Sequence, residues 1–143
     1  MPPLHPILVH FPIGIILLSF IVELIARVTK RGEISRLAWW TQLAGGIALA
    51  GALGSGLISV RSLAIAESAR AVFDTHQQLA FLTAACMAIL LLWRFSRRGV
   101  LPSDAPAAYL LLYAFCVLAL LTTGWFGGEL VYGHGVGVGG ISP

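Results

Sequence analysis

Charge is scarce in this chain. Nine of its 143 residues are Lys or Arg and six are Asp or Glu, 10% in all, against about 25% in an ordinary soluble domain. So few charges cannot cover a water-soluble fold of this length, which excludes a soluble enzyme, a disordered chain and a coiled coil. Cysteine is scarce too. Cys86 and Cys116 stand thirty positions apart, so a disulfide-rich scaffold, a CxxC redox site and a CxxCH haem attachment are excluded. No HExxH motif, P-loop, Ser-His-Asp set or inverted repeat is detectable. The net charge of +3 does not point to nucleic acid, because the bases sit in short clusters between apolar runs. What is abundant is apolar: 58% of the residues, with a mean hydropathy of +0.90. That is the composition of an integral membrane protein in contact with a lipid bilayer.

The charge-free runs count the spans. They are Met1–Val22, Leu37–Val60, Thr75–Trp93 and Ala105–Gly128, each near the ~20 residues that cross a bilayer. The expected fold is all-α, a single four-transmembrane-helix bundle over residues 1–143, with helices at about 6–26, 37–60, 76–93 and 107–127 and a glycine-rich tail from about 128 to 143. The N-terminal run does not read as a cleavable signal peptide. It has no basic leader, and it carries His5 and His10.

Basic residues set the expected orientation. The first loop holds Arg27, Lys30, Arg31 and Arg36, and the third holds Arg94, Arg97 and Arg98. The middle loop holds only Arg61 and Arg70, offset by Glu67 and Asp74. Loops one and three then face the cytoplasm, and both termini face outward, in a bacterial inner membrane. Trp39, Trp40 and Trp93 fall at the inner interface and Trp125 at the outer one, as an aromatic belt. Ser62–Phe73 has apolar residues near helical spacing, which suggests a short helix lying on the outer surface.

This topology gathers all four histidines at the outer face: His5 and His10 on helix 1, His76 at the head of helix 3, and His134 beyond helix 4. The bland alternative is that interfaces tolerate histidine. Asp74-Thr75-His76-Gln77 reads as a capped helix start. His76 would then sit in the first turn, where the helix dipole favours the neutral imidazole that a metal needs. Small residues on helix 2, from Gly45 to Gly56, suit close helix packing or leave room for a flat macrocycle. Pro12 removes a hydrogen bond to the carbonyl of Leu8 and should kink or restart helix 1. We expect His10 to be the deeper, core-facing residue and the partner of His76, with His5 at the rim.

The stretch His5-Pro6-Ile7-Leu8-Val9-His10-Phe11-Pro12-Ile13 resembles the opening signature of the bacterial membrane family called domain of unknown function 2231. Gly127-Gly128-Glu129-Leu130-Val131-Tyr132-Gly133-His134-Gly135-Val136-Gly137-Val138 resembles its closing one, and the position of His76 also fits. The resemblance covers essentially the whole chain. It implies a redox setting, since relatives occur joined to Rieske iron–sulfur or cytochrome c modules.

The remaining polar residues read as follows. The glycine tail is either an extended end or a segment that folds back, brings His134 toward His5 and buries its valines. Glu129 is either an interfacial carboxylate or an orienting partner for a histidine. Glu23 is the only acid within a span, and Arg27 at i+4 suggests a simple ion pair. Cys86 and Cys116 read as small reduced core residues.

Three functions remain open. In the first, a small b-type cytochrome holds haem b through facing histidines, drawn from His10, His76, His5 and His134. It would transfer electrons at the outer face to a Rieske or cytochrome c type partner, or exchange them with a quinone from the lipid. In the second, the same histidines bind copper, zinc or non-haem iron. In the third, the chain is a structural anchor for a redox partner. A stand-alone enzyme is disfavoured, and a homo-oligomer stays open.

Overall fold

The computed structural model describes residues 4–61, 65–101 and 106–137. Over these the chain is helices joined by turns, with no strand among the described residues. The elements are α1 (Leu4–Leu8), α2 (His10–Thr29), α3 (Gly32–Val60), α4 (Arg70–Ser96) and α5 (Pro106–Gly128). A single 3₁₀ turn, Glu67–Ala69, leads into α4, and a π-helical turn, Glu129–Gly133, extends α5. Four stretches are long and apolar enough to cross a membrane: His5–Thr29, Gly32–Val60, Glu67–Ser96 and Pro106–Gly133. In hydrocarbon each backbone N–H must find its acceptor inside the segment, which only a continuous helix provides here.

The first span is interrupted where Pro12 requires it. Without an N–H, Pro12 leaves the carbonyl of Leu8 without its helical donor. The ladder accordingly breaks at Val9, whose own N–H still donates to the carbonyl of His5 at 3.1 Å. Pro12 itself is buried.

Two helical hairpins make the bundle: α2 packs mainly on α3, and α4 mainly on α5. The first closes through Lys30 in the left-handed conformation (φ 55°), its N–H donating to the carbonyl of Ala26. The second leaves α4 through Arg98 (φ 53°) and Gly99 (φ 78°). A side chain at Gly99 would be strained by that φ, and its Cβ would lie 3.0 Å from Trp39 Nε1. Between the hairpins lies an apolar core that includes Ile16, Leu49, Met87, Leu90, Tyr113 and Leu120.

Several expectations from the sequence need correction. Helix α3 starts at Gly32 instead of 37, because Glu33 and Arg36 remain exposed while the backbone is already helical. Helix α4 starts at Arg70, so Asp74-Thr75-His76-Gln77 lies inside it and no capping box forms. Asp74 is exposed there, and Thr75 Oγ1 donates to the carbonyl of Ala71. The surface helix expected over 62–73 is replaced by the 3₁₀ turn and the first turn of α4, while residues 62–64 lie outside the described residues. At the other end, residues 129–133 are helical and not an extended tail, because Leu130 continues the buried face of α5. The aromatic belt is only partial. Trp40 and Trp125 are exposed, but Trp93 packs edge-on to Tyr109 and Trp39 lies under Arg94.

Candidate functional site at the histidine end of the bundle

His5, and not His10, is the histidine of the first span that packs into the bundle. Helix α1 lies against α3, and His5 is half-buried there with Nδ1 2.9 Å from Ser55 Oγ. The Ser55 hydroxyl spends its proton on the carbonyl of Ala52 at 2.8 Å. His5 Nδ1–H is therefore the donor, and Nε2 keeps a free lone pair. Across the bundle, the half-buried His76 donates from Nδ1 to the carbonyl of Thr123 on α5 at 3.0 Å. A carbonyl can only accept, so the tautomer of His76 is fixed the same way and its Nε2 is also free.

Glycine makes room for both rings. A Cβ at Gly56 would lie 2.9 Å from Cε1 of His5, and one at Gly127 would lie 3.1 Å from Cε1 of His76. The two imidazoles, one from each hairpin, are near enough to interact electrostatically.

His10 sits elsewhere. It is exposed, and its Nδ1–H donates to the carbonyl of Pro6 on its own segment at 2.8 Å. The expected depth order of the two histidines is thus reversed: His5 is half-buried against α3, and His10 is exposed. The physical reason is helical phase: five residues apart, His5 and His10 lie about 140° apart around a helix and cannot share a face. His134 follows the π-helical turn and is half-buried, with its backbone N–H on the carbonyl of Glu129 at 3.2 Å. That turn touches α4, but no side-chain bond joins His134 to another described residue. Glu129 is exposed and lies against Gly133 instead of orienting a histidine. Gly135, in the left-handed region, returns the chain so that Val136 N–H reaches the carbonyl of Leu130 at 2.8 Å. The fold-back of the remaining tail falls on residues 138–143, outside the described residues. Among the described residues no three His, Cys, Asp or Glu side chains assemble as a metal-ligand set.

Two signatures, at the first histidine pair and at the C-terminal glycines, bracket this geometry, and the comparison with known families agrees with them. A family described as a predicted membrane protein, DUF2231, matches residues 1–140. The chain belongs to that family. No curated protein and no solved structure shows significant similarity to it.

This DUF2231 protein carries a second polar centre at the opposite end of the bundle, and the sequence reading missed half of it. Glu23 does contact Arg27, at 3.4 Å, but its shorter partner is Arg94, at 2.7 Å with both side chains fully buried. Arg94 also donates to the carbonyls of Ser35 (2.7 Å) and Gly99 (3.1 Å) and to Gln42 Oε1 (3.4 Å), and stacks over Trp39. It therefore ties α2, α3 and the α4–α5 turn to one guanidinium. In the sequence it reads as the first base of the third loop, because Arg97 and Arg98 follow it. Discounting Arg94 and the partly buried Arg27 leaves five loop bases at this end against Arg61 and Arg70 at the other. Cys86 and Cys116 are free and buried, as expected.

Proposed function

We propose that this protein is a small membrane cytochrome that binds haem b between its two hairpins, with His5 and His76 as the residues that would hold it. The carrying observation is the matched pair of tautomers: each Nδ1–H is spent on a fixed oxygen, so each Nε2 is presented as a ligand. Hydrogen bonding of the non-ligating nitrogen is how proteins orient imidazole ligands and raise their basicity. Haem iron needs only two protein ligands, because the porphyrin supplies the rest. A bare copper, zinc or iron ion would need three or four. The glycines under both rings also fit, since any side chain there would push the imidazoles out of place.

Bound haem supplies one-electron chemistry. The chain's own residues do the rest. Ser55 and the Thr123 carbonyl hold the rings, the half-buried setting limits water, and the two hairpins are held together around the site. The excess of bases at the arginine end supports an orientation with the histidine end and both termini outward, in a bacterial inner membrane. Electron exchange with a Rieske or cytochrome c type partner, or with a quinone in the lipid, would then occur at that face.

The test is the visible spectrum of the purified protein. A Soret band with split bands on dithionite reduction is expected, lost in His5→Ala and in His76→Ala and retained in His10→Ala. Full haem loading in both of the first two variants, or a colourless wild-type protein expressed with ample haem, would overturn the reading.

A further inference from the structure

The arginine end holds two buried donors that the ion-pair network does not use. Gln42 and Tyr113 are both fully buried, and neither Gln42 Nε2 nor the Tyr113 hydroxyl has a hydrogen-bond partner among the described residues. The orientation of the Gln42 amide is not arbitrary. Its Oε1 accepts from the Tyr109 hydroxyl at 3.0 Å and from Arg94 at 3.4 Å. A guanidinium has no acceptor to offer, so turning the amide over would set Nε2 against Arg94, donor against donor. Nε2 must therefore face the other way, into the core.

Tyr113 lies in the same place. It is one turn from Tyr109 on α5, with ring centroids 6.1 Å apart. Its hydroxyl comes near Ser19 without making a well-aligned bond. The Ser19 hydroxyl donates to the carbonyl of Ala38 and accepts from Thr41. What this neighbourhood lacks is an acceptor shared by an amide N–H and a phenol O–H. Unpaired buried donors carry a desolvation penalty, and buried groups in this condition are characteristically bridged by water.

We propose that the arginine end of the bundle contains a binding site for an internal water molecule, which accepts from Gln42 Nε2 and from the Tyr113 hydroxyl. The spare lone pairs of Ser19 Oγ and the Glu23 carboxylate are its acceptors. The site extends the Glu23–Arg94 network by one neutral member and solvates the charged cluster where bulk water does not reach.

Two measurements test it on the full-length protein in lipid bilayers. In proton-detected solid-state NMR, the Gln42 side-chain amide should show a cross-peak at the water frequency, weakened in Tyr113→Phe. Thermal unfolding reads the same site by sign. If the hydroxyl is bonded to water, Tyr113→Phe removes a bond and lowers Tm by a few degrees. If the hydroxyl is unpaired, the substitution removes a penalty, and Tm stays level or rises. A Gln42 amide that correlates only with protein and lipid protons, or a Tyr113→Phe protein at least as stable as wild type, overturns the proposal. So does a Tm that rises with chloride at constant ionic strength, which would give the site to an anion.

Discussion

The two ends of the bundle hold their polar groups in opposite ways. At the arginine end, one guanidinium is shared among a carboxylate, an amide and two backbone carbonyls. It makes four bonds within the protein, as a charge out of water requires. At the histidine end, each imidazole uses only one nitrogen. The other nitrogen is neutral, carries a lone pair, and costs far less to leave exposed to a half-buried setting than a charge would. A charge held by four bonds is a fastening, and a pair of ring nitrogens left without a partner is a candidate site. The same two hairpins meet at both ends, so the arginine end can keep them in register while the histidine end stays free for chemistry.

The largest expected effect tests the fastening. Arg94→Met leaves Glu23 buried beside only the more distant Arg27, and should cost about 3 kcal/mol or more, read as a lowered Tm in detergent. The double variant Glu23→Gln/Arg94→Met should recover most of that loss. Failure to recover would mean that Arg94 acts through packing and not through charge.

The next effect belongs to the other end and should separate cofactor from fold. His5→Ala or His76→Ala should reduce haem loading at least tenfold while changing the stability of the haem-free protein by no more than about 1 kcal/mol. A large stability loss without haem would make the histidine end a second fastening and erase the contrast. Ser55→Ala removes the acceptor for His5 Nδ1–H and should lower haem affinity roughly tenfold, as loss of an orienting partner does. Unchanged affinity there would show that Ser55 does not set the ring.

Gly56→Ala puts a Cβ 2.9 Å from the imidazole of His5. It should weaken loading a few-fold at a stability cost of about 1 kcal/mol, the small end of overpacking costs. The smallest effect sharpens the assignment: His10→Ala should leave both loading and Tm unchanged, because His10 is exposed and its ring bonds its own segment.

Much of this architecture is legible in composition. A charge-free run has one stable form in hydrocarbon, and four such runs make four helices. Pro12 announces the break at Val9 because the missing N–H is a local fact. Helix starts are less legible. Asp74-Thr75-His76-Gln77 has the composition of a cap, yet α4 begins at Arg70, since a helix may continue past the apolar zone wherever its polar side chains reach water. The π-helical turn hid in a glycine-rich stretch whose local propensity points to extended chain, overridden by the burial of Leu130.

The sequence by itself determined that the chain is a membrane protein of four helices, that its histidines lie toward one end, and that Glu23 needs a cation. Those follow from hydropathy, from the order of residues along the chain, and from the cost of burying a charge. Only the tertiary structure decided that the cation is chiefly Arg94, seventy-one positions away, and that His5, not His10, packs into the bundle. Both depend on how the helices turn against one another as the hairpins pack. Which face a helix turns inward and which distant helices touch arise from packing summed over the whole bundle, and no local stretch of residues encodes them.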